Sequence, residues 1–304
     1  MTTSVHPDPS MIGGVPQAPL ALLPQPGRLF ATRARRFDFL SGHSQNLGPY
    51  LAFLGRLVAL QDRLAQALPP VAQVPADRVA LARESRMPPI DRAALRRDDA
   101  LHEVLDRVIA EARDIEMPEE ARIALEALAG AAREDREWVL GNLLEDRIPE
   151  DSVAPHLFAA LAVQLYLSRI AATLDADALV PIRTGVCPAC GGRPATSSIT
   201  TVGQLEGVRY AACACCQTRW NEVRVTCLHC GSNKDVAYRS VETTEATVRA
   251  EECGDCGHWL KILTQTANHS LEPLADDVGT LGLDLLMRDR GVTRAGMNPF
   301  LSGF

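Results

Sequence analysis

The chain has 304 residues, 46% of them hydrophobic and 23% charged, enough to bury a large core and to form two or three domains. A net charge of −7, from 31 basic and 38 acidic residues, argues against whole-protein binding to nucleic acid. No apolar run approaches the roughly 20 residues of a membrane span. The nearest, residues 47–60, is interrupted by Gly48, Pro49, Gly55 and Arg56. The N-terminal region lacks the basic start, apolar stretch and cleavage site of a secretory signal. Arg35-Arg36-Phe37-Asp38-Phe39-Leu40 looks superficially like a twin-arginine export signal, but polar residues follow it. A soluble, cytoplasmic protein is expected.

In chain order, residues 1–28 carry six prolines and no periodicity, which predicts a flexible Pro-rich arm, mobile or draped over the body. Leu47, Leu51, Leu54, Val58, Leu64 and Leu68 follow helical spacing until Pro69-Pro70 stops the element. Further helices are predicted over residues 92–113, 118–145 and 152–174. The second opens on Pro118, Glu119 and Glu120, and the last has Ser152 as a cap. Residues 157–174 are apolar on nearly every face, as in a helix at the middle of a bundle. A helical domain over residues 29–178 follows from this, with a boundary near residues 175–181.

All nine cysteines fall between residues 187 and 256. Cys187 and Cys190 are followed after 22 residues by Cys213 and Cys216, and Cys227 and Cys230 after 22 residues by Cys253 and Cys256. A shift of forty positions superimposes the two sets, together with Gly191 on Gly231, Val208 on Val248 and Arg209 on Arg249. Trp220 and Trp259 fall within one position of matching. This is a tandem duplication. Two residues between cysteines let a tight turn aim both sulfurs at one ion, and glycine after the second cysteine supplies the turn conformation. Two such turns joined by a hairpin close a tetrahedral tetrathiolate site, with metal–sulfur distances of about 2.3 Å for zinc. Each copy is expected to hold one ion, in modules over residues 181–224 and 225–270.

Disulfides would need an oxidising compartment, and a redox pair would leave the period of forty unexplained. Cys215 is the odd ninth cysteine. The second copy selects Cys216 over Cys215 as the ligand, which makes Cys215 a buried small residue or a thiol beside the site. His229 and His258 stand in or next to the turns, but each site already has four cysteines, so both are read as lying beside the sites or at the surface. Residues 181–270 hold nine Lys and Arg against eight Asp and Glu, and eight thiolates with two divalent ions bring that region to −3. Such a surface lacks the basic stripe that phosphate binding requires.

Between the turns the texture is β-branched and alternating, as in residues 198–202 and 244–248, and predicts short hairpin strands. Residues 271–304 return to helix. Val278, Leu281, Leu285 and Leu286 share a predicted face, Asp276 and Asp277 favour its start, and Gly291 ends it. That helix is expected to pack on the N-terminal bundle or to cap the second module. The fold class is therefore α+β: a helical N-terminal domain, two tandem four-cysteine modules of zinc-ribbon type, and a C-terminal helix. No phosphate-cradling glycine loop, Gly-x-Ser-x-Gly or His-Glu-x-x-His is present, and His102-Glu103 lacks the second histidine. Closed tetrathiolate sites leave no open position for water or substrate, so no catalytic residue is assigned and no enzyme is expected.

The pattern Cys187-Pro-Ala-Cys190-Gly, Cys213-x-x-Cys216 with Trp220, Cys227-x-x-Cys230-Gly and Cys253-x-x-Cys256 resembles the formate dehydrogenase accessory protein family, FdhE. The similarity extends to residues 149–165 with His156-Leu157-Phe158, to Glu272-Pro273-Leu274-Ala275-Asp276-Asp277, and to Asn298-Pro299-Phe300-Leu301. Cys215 and the longer proline-containing arm depart from it. The resemblance implies a helical N-terminal domain followed by two tandem rubredoxin-like modules, in a cytoplasmic assembly factor that binds the catalytic subunit of respiratory formate dehydrogenase and supports its maturation. It also implies iron, two ions, where a tetrathiolate by its chemistry accepts iron and zinc alike. Two other classes stay open: a rubredoxin-like electron carrier or redox sensor, and a zinc-ribbon nucleic-acid module weakened by the charge.

Overall fold

Every residue from His156 to Ser168 is buried in the computed structural model, which describes residues 17–241 and 246–301. These residues belong to α8 (Val153–Ala171), the axis of the helical half. Around it pack α2 (Gly48–Ala67), α5 (Asp99–Ala112), α6 (Glu119–Gly130) and α7 (Arg133–Leu144). A helix apolar all round is stable only when neighbours cover every face. By length and composition Glu150–Ala171, rather than residues 47–60, is the most span-like segment, yet 78% of its apolar window is buried inside the protein. Within α8 Tyr166 OH donates to Asp98 Oδ2 at 2.9 Å, His156 Nδ1 lies 2.6 Å from the Ser152 carbonyl, and Gln164 Nε2 donates to the Ala214 carbonyl at 3.1 Å, whereas Ser152, expected as a cap, makes no side-chain capping bond.

Several boundaries differ from expectation. The helix expected over 92–113 is two, α4 (Arg92–Leu95) and α5, because Asp98 turns its side chain onto the Ala100 amide and caps a new start. That expected over 118–145 breaks after Gly130, where Ala131 and Ala132 are extended, and Arg136 Nε reaches back to the Leu128 carbonyl. Two helices were not legible: α1 (Pro26–His43), within and beyond the expected arm, and α3 (Ala76–Glu84). α1 lies antiparallel to α2, and Gly55, read as an interruption, is where they approach; a Cβ there would sit 3.4 Å from Phe37 Cβ. The part of the expected arm that is described, from residue 17 on, is laid down rather than flexible. Its β1 (Ala21–Leu22) pairs with β4 (Arg219–Glu222), and Tyr210 OH donates to the Pro19 carbonyl at 2.7 Å. Residues 1–16 lie outside the described residues.

The cysteine region forms one sheet from β2 (Pro194–Val202), β3 (Leu205–Cys213), β4, β5 (Val236–Arg239), β6 (Val248–Cys253) and β7 (His258–Thr264), in the order β1-β4-β3-β2-β7-β6-β5. Each copy is a three-stranded antiparallel unit, and the copies join head to tail through the parallel pair β2–β7, Ser197 opposite Ile262. They are related by translation, so they meet different neighbours. Ala211 pairs with Trp220 and, forty residues on, Glu251 pairs with Leu260. Leu260 therefore takes the place of Trp220, and Trp259 that of Arg219; the tryptophan near-match of the sequences is not an equivalence. The strand expected at 244–248 begins at Val248, and residues 242–245 lie outside the described residues.

The C-terminal segment does both things expected of it in alternation. α9 (Ala275–Gly279) packs on α1, while α10 (Leu281–Asp289) covers the second copy, burying Leu283 and Met287 with Ala250 and Trp259. Leu285 and Leu286 do not share the buried face with Val278 and Leu281, being 39% and 40% exposed. Thr280, at φ −111° and ψ 34°, breaks the helix and resets its phase. After Gly291, β8 (Thr293–Arg294) pairs with β7.

A seam of buried ion pairs ties the segment down. Arg33 on α1 donates through Nε and Nη2 to Glu272 Oε1 at 3.0 and 2.9 Å, and Glu272 Oε2 accepts the amides of Leu274 and Ala275. Arg36 grips Asp276, with Nη2 2.6 Å from Oδ1. Lys261 and Arg294 both bond Asp277 and Asp284, and Asn298 Nδ2 donates to Asp277 Oδ2 at 3.0 Å. Burial alone would raise the Asp277 carboxyl, but Arg294 and Lys261 beside it hold it below the usual carboxylate range. Removing one partner of such a pair leaves the other charge buried and unpaired, at a cost of about 3–5 kcal/mol. Glu272→Ala should therefore lower stability by about that amount in urea denaturation; a loss below about 1 kcal/mol would mean that water replaces the carboxylate at Arg33.

Candidate metal centres

Each cysteine pair sits on a turn closed by backbone bonds. The Gly191 amide donates to the Cys187 carbonyl at 2.8 Å, Gly231 to Cys227 at 2.9 Å, and Gly257 to Cys253 at 2.9 Å. The residue after the second cysteine has positive φ in all four turns: Gly191 at 76°, Gln217 at 63°, Gly231 at 81° and Gly257 at 67°. Glycine enters that region freely, while any other residue is strained there. Gln217 is the exception, and its side chain shows what holds it. Its Nε2 donates to the Ala214 carbonyl at 2.8 Å, and its Oε1 accepts from Arg33 Nη2 at 2.6 Å.

The turns bring the sulfurs into two groups, Cys187, Cys190, Cys213 and Cys216 in one and Cys227, Cys230, Cys253 and Cys256 in the other, all ligand atoms of a group within 4.8 Å of one another. In the first group, Cys187 Sγ lies 3.5 Å from Cys216 Sγ, and Cys190 Sγ 3.5 Å from Cys213 Sγ. The corresponding separations in the second are 3.7 and 3.8 Å. A tetrahedron with metal–sulfur bonds of 2.3 Å has edges of about 3.8 Å, so both groups fit a single four-coordinate ion. The two clusters can hold two metal ions.

Their surroundings are unlike. In the first cluster no sulfur-bearing residue exceeds 2% exposure, and the cysteines are part of the same apolar core as the helices. Burial pushes the Cys187 thiol well up, so an ion held there would have to drive its deprotonation. Arg92 supplies a compensating charge from the helical side. A Cβ on Gly192 would lie 2.8 Å from Arg92 Nη1 and 3.1 Å from Cys213 Sγ, so the bare glycine is what lets the guanidinium close on the sulfurs. Arg92 is paired to Asp146 through Nη1–Oδ2 at 2.9 Å and Nη2–Oδ1 at 2.8 Å. Cys215 Sγ lies 3.4 Å from Arg92 Nη2 and outside the four-sulfur group. Thr218 Oγ1, 3.3 Å from Cys216 Sγ, can donate to a thiolate there.

The second cluster stands at the surface, with Cys230 exposed and Cys256 half-buried. The backbone amide of Ser232 lowers the pKa of the Cys230 thiol, and the His229 amide donates to Cys227 Sγ at 3.4 Å. His229 and His258, expected beside the sites, stack on each other with centroids 3.6 Å apart and planes 8° from parallel. The sequence reading missed Arg92, Asp146, Gln217 and Thr218. Only Gln217 left a trace, as the one turn position of four that is not glycine.

The difference in cover generates a prediction. In protein carrying two ions, a chelator should strip the second cluster in a fast phase and the first only as the helical core opens. Single-phase loss of both ions would contradict the asymmetry. Cys187→Ser and Cys216→Ser should each cost one ion by elemental analysis, and Cys215→Ser none.

Three family models cover nearly the whole chain: FdhE, N-terminal, over residues 18–184; FdhE, central domain, over 186–224; and FdhE, C-terminal domain, over 225–301. A protein FdhE homolog of Rhizobium meliloti (strain 1021) is 51% identical over 302 residues, 99% of this chain and 98% of the relative. One from Proteus mirabilis (strain HI4320) is 32% identical over 93% of this chain and 91% of the relative. The crystal structure of the FdhE protein from Pseudomonas aeruginosa matches with a TM-score of 0.83 at 31% identity, over 93% of this chain and 99% of that one. By sequence along its full length and by fold, this chain belongs to the FdhE family.

Proposed function

We propose that the protein is a non-catalytic accessory factor for respiratory formate dehydrogenase, acting in the cytoplasm by binding the catalytic subunit during its maturation. Its eight cysteines at positions 187, 190, 213, 216, 227, 230, 253 and 256 ligate two ions, iron by family resemblance with zinc as the chemical alternative. The observation that carries the reading is that each cluster brings four sulfurs within 4.8 Å of one another, a set that would fill all four positions of one tetrahedral ion. When bound, the ions supply crosslinking, and in the case of iron a one-electron couple. The chain's own residues do the rest. Arg92, Asp146, Gln217 and Gln164 fix the first turn pair to the helices, so that helical and sheet surfaces form one rigid face for a partner.

A rubredoxin-like carrier or redox sensor is the second reading, favoured by one feature, the exposure of Cys230 and Cys256 on the second cluster. Electron exchange needs an accessible edge, and the first cluster has none.

The accessory role predicts that the protein captures the formate dehydrogenase catalytic subunit on co-purification, turns over no formate itself, and that deleting its gene abolishes respiratory formate oxidation. Normal formate oxidation in a deletion strain without a paralogue would refute it. Rapid electron passage from a reductase to an acceptor, lost on Cys230→Ser, would install the carrier reading instead.

A further inference from the structure

Where the N-terminal arm, α1, the β3–β4 edge and the loop before α9 meet, the structure leaves a cavity of about 380 Å³. This is at the small end of the range for ligand sites. Leu22, Leu29, Leu271 and Leu274 give it apolar walls, and it opens to solvent at Gln25, Arg28 and His269. Its charges do not balance. Arg28, Arg33 and Arg219 face a single carboxylate, Glu272, whose two oxygens are already taken by Arg33 and by the amides of Leu274 and Ala275.

Two residues that line this cavity each have a buried guanidinium nitrogen with no hydrogen-bond partner: Nη1 of Arg33, a residue 1% exposed, and Nε of Arg219. Among the described residues, neither Arg28 nor Arg219 has a carboxylate within ion-pair distance. Arg219 lies over the face of Tyr210, 5.7 Å from the ring centroid, and feels the Glu272 carboxylate only at longer range. Burial depresses the Arg219 guanidinium pKa, and the opposing pull of Tyr210 and Glu272 does not offset it. α1 begins here without a side-chain cap, so the positive end of its dipole adds to the same field. An unpaired buried guanidinium costs more than a paired one, and an oxyanion is its natural complement.

We propose that this cavity is a binding site for a small organic oxyanion, a carboxylate or a phosphate carried on a short apolar body. Arg219 and Arg33 hold the anionic oxygens, Arg28 and His269 draw it in from solvent, and the leucines take the apolar part. The site is distinct from both sulfur clusters, yet it touches the first through Gln217, the residue after Cys216 and itself part of the cavity wall.

The test uses the full, metal-loaded chain in chloride buffer, titrated calorimetrically with N-acetyl-leucine, with its uncharged amide and with inorganic phosphate. Saturable binding of N-acetyl-leucine but not of the amide identifies a carboxylate site; binding of phosphate alone identifies a phosphate site. In either case Arg219→Gln should weaken binding by about tenfold or more. Arg28→Gln, at an exposed position that leaves the fold untouched, should weaken it measurably and serves if the first variant does not fold. No saturation by either anion at concentrations up to about 20 mM, or equal affinity in wild type and both variants, would overturn the proposal.

Discussion

Four sulfurs buried among leucines are a severe constraint, because neither four thiols nor four thiolates are comfortable there without an ion and a compensating shell. In this protein the constraint falls on the loop from Cys213 to Thr218, and the two halves of the molecule are joined around it. Gln164 from the central helix reaches the Ala214 carbonyl, Arg33 from α1 reaches Gln217, and the Arg92–Asp146 pair closes over Cys215. Each contact comes from a different helix and ends within a few residues of a ligand sulfur. The helical half therefore acts as the outer shell of the first cluster, and the strained conformation at Gln217 is held in place by the same contacts.

The duplication shows how much of this is environment rather than motif. The copies share spacing, turn geometry and pairing register, but the translation that relates them puts β2 of the first beside β7 of the second, and of the two cysteine groups it is the first that lies in the core shared with the N-terminal helices. The second copy is covered on one side by α10 and is open at Cys230. One spacing thus yields an enclosed centre and an edge centre. A crosslink is best served by the first and any exchange with solvent or partner by the second.

The cysteine spacing, the hairpin texture between the turns and the all-round apolar character of α8 were legible because each follows from a local rule: ligand geometry, side-chain alternation, helical periodicity. The Glu272 to Asp277 run stood out as a resemblance, and the structure gives it a physical role, since its carboxylates bind Arg33, Arg36, Lys261 and Arg294. What escaped depends on long-range partners. α1 carries Arg33 and Arg36 where a simple amphipathic pattern would not place them, because they meet acids some 240 residues away. The arm pairs with β4 although nothing in its composition calls for a strand. The breaks at Asp98 and Ala131, and the phase reset at Thr280, are single-residue events inside otherwise periodic stretches.

If two separate all-sulfur tetrahedra, one enclosed and one at the edge, organise the molecule, X-ray absorption at the iron and zinc edges of the purified protein should give two ions per chain, each with four sulfur neighbours at about 2.3 Å and no lighter ligand. A first shell containing nitrogen or oxygen, or a metal–metal distance revealing a shared cluster, would contradict it.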